Sequence, residues 1–450
     1  MKNTLSLCFY TNKTLFILLL HLLGGSSDVL AGDPFVYTPQ FITEFKQMKI
    51  DKQGITVVTG NRQLGSVYKI VLYHLDHSRS LNWVIEDSIE AKIIDATITD
   101  SAIYVLYSVI GKKHKTEVAR FSRKNGSLVW RKNVDDVPSI GKKLMVNENT
   151  NTLAIAGEYD SAIQVWWFDT NGNLQFNWSK DLAFFSGPLG SDYESINDLH
   201  LLDDNSVITS STMYHDSMVR VIRTNMEGEI LFDYSHKTQN GAPGEPSLLV
   251  LSNNTFAITF FDENLFGVPR FNQLALDSDG IELFLNHSDN KQHWGFSTLL
   301  NITHPNGNIL NVRQADGHPY DLEIYQTDIN GQDSHQFGYI FSGSGHIGKM
   351  YQIVLDSQNS LFLVASKTNP FPDFASDTLY LQWSADGVLC NEFEVDGSDS
   401  RSVLQFYDKN IYELRYIKDE SDVISLHVIK HPIIEACTSD IIFTSGFESL

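Results

Sequence analysis

Eight short β-rich segments recur at intervals of about 50 residues, and this repeat limits the possible folds more than any other feature of the chain. They begin at Ile55 (ITVVTG), Ile103 (IYVLYS), Leu153 (LAIAGE), Val207 (VITSST), Phe256 (FAITFF), Ile309 (ILNVRQ), Leu361 (LFLVAS) and Ile411 (IYELRY), with spacings of 48 to 54 residues. A turn rich in Asp, Asn or Gly precedes each, such as Asp51 to Gly54, Asn147 to Asn151 or Asp356 to Asn359. These residues accept the positive φ and the side-chain-to-backbone bonds of tight hairpins. An alternating strand comes before the turn, as in Phe45 to Ile50, and a third strand follows the segment after a variable loop, as in Tyr68 to Leu75 or Ile163 to Phe168.

In six repeats a second turn, centred on Gly126, Gly172, Gly228, Gly280, Gly331 or Gly387, opens a fourth strand. Four residues after the glycine stand Trp130, Phe176, Phe232 and Phe284; Trp83 matches them in the first repeat, where Arg79 replaces the glycine. An aromatic at a fixed offset is what stacking one unit on the next requires. Four antiparallel strands per unit, without helical periodicity, predict an all-β, eight-bladed β-propeller; a seven-bladed ring with one irregular repeat is the alternative. The eighth unit shows only three strands up to Lys430, so Phe35 to Phe41 is expected to supply its outer strand, with Asp440 to Phe443 as the competitor. Closing the ring in this way removes exposed sheet edges.

Lys2 and Lys13, the apolar run Leu15 to Leu23 and the small residues at Val29-Leu30-Ala31 read as a secretory signal peptide over residues 1–31. The propeller is then expected over 32–433 and a C-terminal tail over 434–450. Cleavage takes the formal charge from −22 to −23, which disfavours nucleic acid and anionic membranes and fits cations, basic proteins or neutral glycans. No other segment is apolar enough for a membrane-spanning helix. Loss of Cys8 leaves Cys390 and Cys437, an even number in an oxidising compartment, and one disulfide is expected between them.

Glu117 to Trp130 (EVARFSRKNGSLVW) and Gln164 to Phe176 (QVWWFDTNGNLQF) resemble the repeat of quinoprotein-like (PQQ-like) β-propellers, in which a strand, a D-x-x-G type turn and an aromatic recur in each blade. For the family's enzymes the resemblance implies a quinone pocket on the ring axis with calcium and, often, adjacent cysteines; none of those positions is matched here, so PQQ is not expected as a cofactor. Other members of the superfamily are assembly or binding scaffolds. Ile441 to Glu448 (IIFTSGFE) resembles a short IFxxGFE tail on exported gammaproteobacterial proteins, which implies a bacterial, secreted or periplasmic protein.

Gly343 to Met350 (GSGHIGKM) satisfies GxGxxG, but Met350 to Leu355 alternates as a strand where a phosphate loop needs a helix, and the motif is read as a loop between blades. No G-x-S-x-G, HExxH or CxxC occurs. The loops between second and third strands share one face with the loops between blades. They gather Glu158 and Asp160, His215 and Asp216, Asp262 and Glu263, Asp316 and His318, Asp373 and Asp377, and Asp419, Glu420 and Asp422. From Glu158, Asp160, His215, Asp216, Asp316 and His318 we expect a cation or ligand site, with Ca²⁺ as the candidate ion, on a monomeric, non-catalytic protein that binds a protein or glycan partner. The alternative is an enzyme, either a glycan or peptide hydrolase or lyase, or a quinone-dependent dehydrogenase, with its site at the axis.

Overall fold

The computed structural model describes residues 35–37, 42–62, 68–110, 115–135, 139–159, 162–180, 194–213, 216–238, 243–244, 246–251, 254–263, 269–289, 299–304, 306–314, 322–328, 330–339, 346–355, 359–368, 376–385, 387–395, 403–407, 410–418 and 424–432. β1 (Phe35–Tyr37) stands at the N-terminal end of this range. Blade 1 follows as β2 (Ile42–Asp51), β3 (Gly54–Arg62), β4 (Tyr68–Leu75) and the first half of β5 (Leu81–Ile98). The second half of β5 opens blade 2, with β6 (Ala102–Val109), β7 (Thr116–Ser122) and β8 (Leu128–Asn133). Blade 3 is β9 (Ile140–Asn147), β10 (Thr152–Tyr159), β11 (Ala162–Asp169) and β12 (Leu174–Lys180). Blade 4 is β13 (Glu194–Leu201), β14 (Val207–Met213), β15 (Met218–Thr224) and β16 (Ile230–Lys237). Blade 5 is β17 (Ser247–Val250), β18 (Phe256–Glu263), β19 (Pro269–Leu276) and β20 (Glu282–Asp289). Blade 6 is β21 (Leu299–Thr303), β22 (Ile309–Gln314), β23 (Leu322–Thr327) and β24 (Asp333–Tyr339). Blade 7 is β25 (His346–Leu355), β26 (Leu361–Thr368), β27 (Ser376–Trp383) and β28 (Leu389–Val395). Blade 8 is β29 (Val403–Tyr407), β30 (Asn410–Lys418) and β31 (Ile424–Pro432), with β1 as its outer strand.

All eight expected segments are the second strands of blades, so the chain is the eight-bladed β-propeller that the repeat predicts. The first strands touch one another in chain order, and β29 touches β2, which closes the circle. Phe35, Val36 and Tyr37 pair antiparallel with Val428, His427 and Leu426, so the last blade takes its outer strand from the beginning of the chain.

Second strands are buried along nearly their whole length, because a neighbouring blade covers each of their faces; β14 is buried from Val207 to Thr212. Fourth strands are mostly exposed, as in β8. The core therefore lies in the seams. Tyr104, Leu106 and Val118 of blade 2 pack on Leu153, Ile155 and Trp166 of blade 3. Met48, Ile50, Val57 and Tyr73 of blade 1 pack on Tyr412, Leu414 and Val428 of blade 8. Each such large apolar side chain contributes about 2 kcal/mol by leaving water.

The turns place glycine where the backbone demands it. Gly126, Gly172, Gly228, Gly280, Gly331 and Gly387 have φ of +70° to +82°, and Arg79 takes φ +67° in the matching turn of blade 1. A Cβ on Gly172 would lie 2.9 Å from the Trp130 ring, and one on Gly280 2.5 Å from Phe232. Gly126, Gly228 and Gly331 meet Trp83, Phe176 and Phe284 in the same way, so the aromatic of each blade covers the turn glycine of the next.

Two expectations are corrected. The Cys390–Cys437 bridge is not carried further: Cys390 of β28 is the one cysteine among the described residues, its Sγ lying 3.2 Å from the Val388 carbonyl oxygen, and Cys437 lies outside them. The GxGxxG segment is not wholly a loop. His346 to Met350 begins the inner strand β25, which is irregular in register between Ile347 and Gln352, and Gly343 and Gly345 lie outside the described residues. The tail and the signal segment also lie outside them.

Candidate functional site

Antiparallel strands put the first and third turns of every blade on one face, the turn face, and the second-to-third and inter-blade loops on the other, the loop face. Of the residues read onto the loop face from the sequence, Glu158, Asp216 and Asp262 are described, and they stand on it. Glu158, near the end of β10, is buried, and its Oε1 lies 3.5 Å from Lys142 Nζ and accepts the Ile196 N–H of blade 4 at 3.3 Å. Asp262, near the end of β18, is fully buried: Arg270 Nε and Nη2 donate to its two oxygens at 2.8 and 2.5 Å, and Asn272 Nδ2 donates at 2.8 Å. Asp216 is half-buried in the turn before β15. Asp160, His215, Asp316 and His318 lie outside the described residues. Among the described residues no three His, Cys, Asp or Glu side chains group as metal ligands would, so Glu158 and Asp216 do not form part of such a set there.

Several carboxylates of this face are instead paired, some within a blade and some across a seam. Between blades 1 and 2, Asp87 of β5 takes Arg131 of β8, and the Arg131 guanidinium lies 6.0 Å above the Tyr107 ring. Tyr107 donates to Glu117 Oε2 at 3.0 Å, and Lys115 reaches Glu117 Oε1 at 2.5 Å. Burial pushes the Tyr107 phenol well above its ordinary value, so it remains a donor at any physiological pH. Each acid here has a cation or a hydrogen-bond donor, which a buried charge needs. Only the acidic half of this pattern stands out in an acidic sequence. The signal for the basic half was Lys115, Arg131, Lys142 and Arg270, each near the start or end of a strand.

A second arrangement lines the ring axis and was not read from the sequence. β5 and β13 carry matching register shifts, between Ile93 and Asp95 and between Ile196 and Asp198. Each bulge turns an aspartate toward the next blade. Asp95 Oδ2 accepts Leu144 N–H at 2.8 Å, and Thr97 Oγ1 donates to the carbonyl of the same residue at 3.0 Å. Asp198 Oδ2 accepts Leu248 N–H at 3.2 Å, and His200 Nε2 lies 2.9 Å from the Leu248 carbonyl. Gln405 Oε1 does comparable work between blades 8 and 1 by accepting Ile50 N–H at 2.7 Å. Burial raises the Asp95 carboxyl, against the lowering effect of the Leu144 N–H and of Lys143 and Lys46.

On the turn face, Arg123 is fully buried: it pairs with Asp51 through Nη1 at 2.5 Å and Nη2 at 2.8 Å, and donates to Thr56 Oγ1 at 2.9 Å. Thr56 Oγ1 lies 3.0 Å from His74 Nδ1. Burial, with the charge of Arg123, holds His74 below the usual histidine value, so it stays neutral.

No family model matches the chain, and no curated protein matches it. Among solved structures it is similar to the Dos1 propeller, at 10% identity and TM-score 0.49 over 86% of this chain and 95% of that one. It is similar also to the quinohemoprotein alcohol dehydrogenase of Comamonas testosteroni, at 9% identity and TM-score 0.48 over 89% of this chain and 76% of that one. A third likeness is to a putative 6-phosphogluconolactonase of Bacteroides fragilis, at 12% identity and TM-score 0.43 over 77% of this chain and 96% of that one.

Proposed function

We propose that the chain is an exported, non-catalytic propeller that binds a protein or glycan partner through the loops of its loop face. The observation that supports this reading most is the fate of the carboxylates there. Glu158, Asp262 and Glu117 are tied to Lys142, Arg270 and Lys115 within their own blades, and Asp87 to Arg131 and Glu158 to the Ile196 N–H across seams, so they stiffen the strand ends from which the variable loops spring. A rigid ring with variable loops is a means of presenting a binding surface. Export rests on the signal-like residues 1–31 and the IFxxGFE-like tail, and the bacterial, periplasmic or secreted setting belongs to the same proposal. Among the described residues no helix is long and apolar enough to cross a membrane.

Within this reading, Asp160, His215, Asp216, Asp316 and His318 are the candidates for holding Ca²⁺ or a ligand group, whereas Glu158 has a positioning role at the seam with blade 4. Thermal melts with millimolar Ca²⁺, with Mg²⁺ and with matched NaCl test the cation. A Ca²⁺-specific rise that the variant carrying Asp216→Asn and Asp316→Asn loses supports a site, and a hundredfold excess over Kd corresponds to about 2.7 kcal/mol. Equal small shifts with every salt mean screening of the net charge and dismiss the cation. Turnover of glycan or peptide substrates by the purified protein would overturn the non-catalytic reading.

A further inference from the structure

We infer that the closed ring parts first along the seam between blades 5 and 6, where a belt of buried polar side chains stands in place of an aliphatic contact. In each blade the fourth residue of the repeated segment pairs with a third-strand residue that packs toward the third residue of the next segment. These two positions are Leu72 and Val105 between blades 1 and 2, Val118 and Ile155 between blades 2 and 3, Val221 and Ile258 between blades 4 and 5, and Ile324 and Leu363 between blades 6 and 7. Between blades 5 and 6 they are Gln273 and Asn311, both fully buried. The belt crosses the whole sheet of blade 5, since Gln273 pairs with Thr259 on one side and Asn286 on the other. Among the described residues, the buried apolar cluster of this seam comes down to Leu251, Ala257 and Ile309 toward the turn face, with Phe261 against Phe271 toward the loop face.

The belt is incompletely bonded. Thr327 Oγ1 accepts from Asn311 Nδ2 at 3.1 Å and lies 2.8 Å from Gln273 Oε1 and 2.5 Å from Asp333 Oδ1, so its one hydroxyl hydrogen faces two acceptors. Gln273 Nε2 and Asn311 Oδ1 are buried without a partner among the described residues. A buried amide atom left unmatched carries a desolvation cost that contact with water removes. Opening an aliphatic seam exposes surface that water disfavours, whereas opening this one hydrates both amides. The closed state therefore has the least advantage over the open one here, and local opening occurs where that advantage is least. Between blades 7 and 8 the same two positions hold Tyr380 and Glu413, but there the phenol donates directly to the carboxylate across the seam.

A buried thiol reports such opening, because it reacts only when its seam parts. Ala257→Cys, Ala119→Cys and Ala365→Cys place one between blades 5 and 6, 1 and 2, and 6 and 7, and Val364→Cys places one between blades 7 and 8, all at fully buried positions. Each full-length variant is incubated with iodoacetamide under native conditions, and labelling at the introduced site is followed by peptide mass spectrometry. Position 257 should label at least about tenfold faster than the other three. Gln273→Leu combined with Asn311→Val, which copies the pair at Leu72 and Val105, should slow labelling at 257 by about tenfold and leave 119 unchanged. Equal rates at all four positions would mean that reaction awaits global unfolding, and fastest labelling at 364 would move the opening to the seam between blades 7 and 8; either result overturns the inference. Fast labelling at 257 that the paired substitution does not slow overturns it as well, since the polar belt would not be the cause. Should the paired substitution loosen the whole ring, labelling at 119 quickens too, and the comparison of the four positions without it decides.

Discussion

At the scale of single residues, the turn glycines decide how closely blades can approach. Gly280 combines φ +80° with a neighbouring ring that leaves no room for a methyl group. Gly280→Ala should cost about 3 kcal/mol, from left-handed strain together with displacement of Phe232, and should be visible as a lower urea midpoint. Arg79→Gly should act in the opposite direction and raise stability by about 0.5 kcal/mol, since the turn of blade 1 already has φ +67°. These positions were legible in the sequence because only glycine meets both demands cheaply, and because the aromatic four residues on is the matching half of the contact. Asp51 makes a pH-dependent prediction. Burial alone would raise its carboxyl, but hydrogen bonds and charge from Arg123, with the Gln53 N–H, hold it below the usual carboxylate range. Its contribution is complete above the unfolded value near about pH 4 and is lost as pH falls through the lower folded value. Melting curves from pH 6 downward should therefore fall less steeply for Asp51→Asn than for the parent. Asp51→Ala at neutral pH should cost about 3 kcal/mol, because it strands the buried Arg123.

At the scale of elements, strands and turns were read with little error, since alternation and Asn, Asp or Gly punctuation are local signals. Two features were not local. β5 runs unbroken through 18 residues, from the outside of blade 1 to the inside of blade 2. Its sequence, LNWVIEDSIEAKIIDATI, has no glycine or proline to end it, and that absence was the only available sign. The inner-strand bulges left no sign at all, because a bulge is a relation between two strands and Asp95 or Asp198 looks like any polar residue in a half-exposed strand. Their role at the seams can be tested. Asp198→Ala removes the acceptor for Leu248 N–H and should cost about 1–2 kcal/mol. Amide exchange should quicken at Leu248 while remaining slow at Leu144, which the intact Asp95 still holds. Equal quickening at both residues would mean global loosening rather than a local clasp.

At the scale of the whole molecule, acidity was plain from composition, but its distribution was not. Glu158 and Asp262, read in the sequence as carboxylates of an acidic mouth, proved to be tied to Lys142 and Arg270, and Asp87 of the same face is committed to Arg131, 44 residues away in the chain. Pairing over such separations cannot be read from a single sequence. The closing strand has a consequence of another kind. β1 is the first part of the propeller to be synthesised, yet its partner in β31 lies about 390 residues later. Non-local contacts of this span are the slowest to form, and a chain made from its N-terminus must finish every other blade before the circle can shut. Until then the edge of β31 remains open to any strand within reach. A chain lacking residues 32–41 would stay in that condition permanently; it should melt earlier and elute from size exclusion as higher oligomers, with the last blade the first to exchange its amide protons. The time at which the propeller becomes safe from its neighbours is thus set by the return of its own beginning.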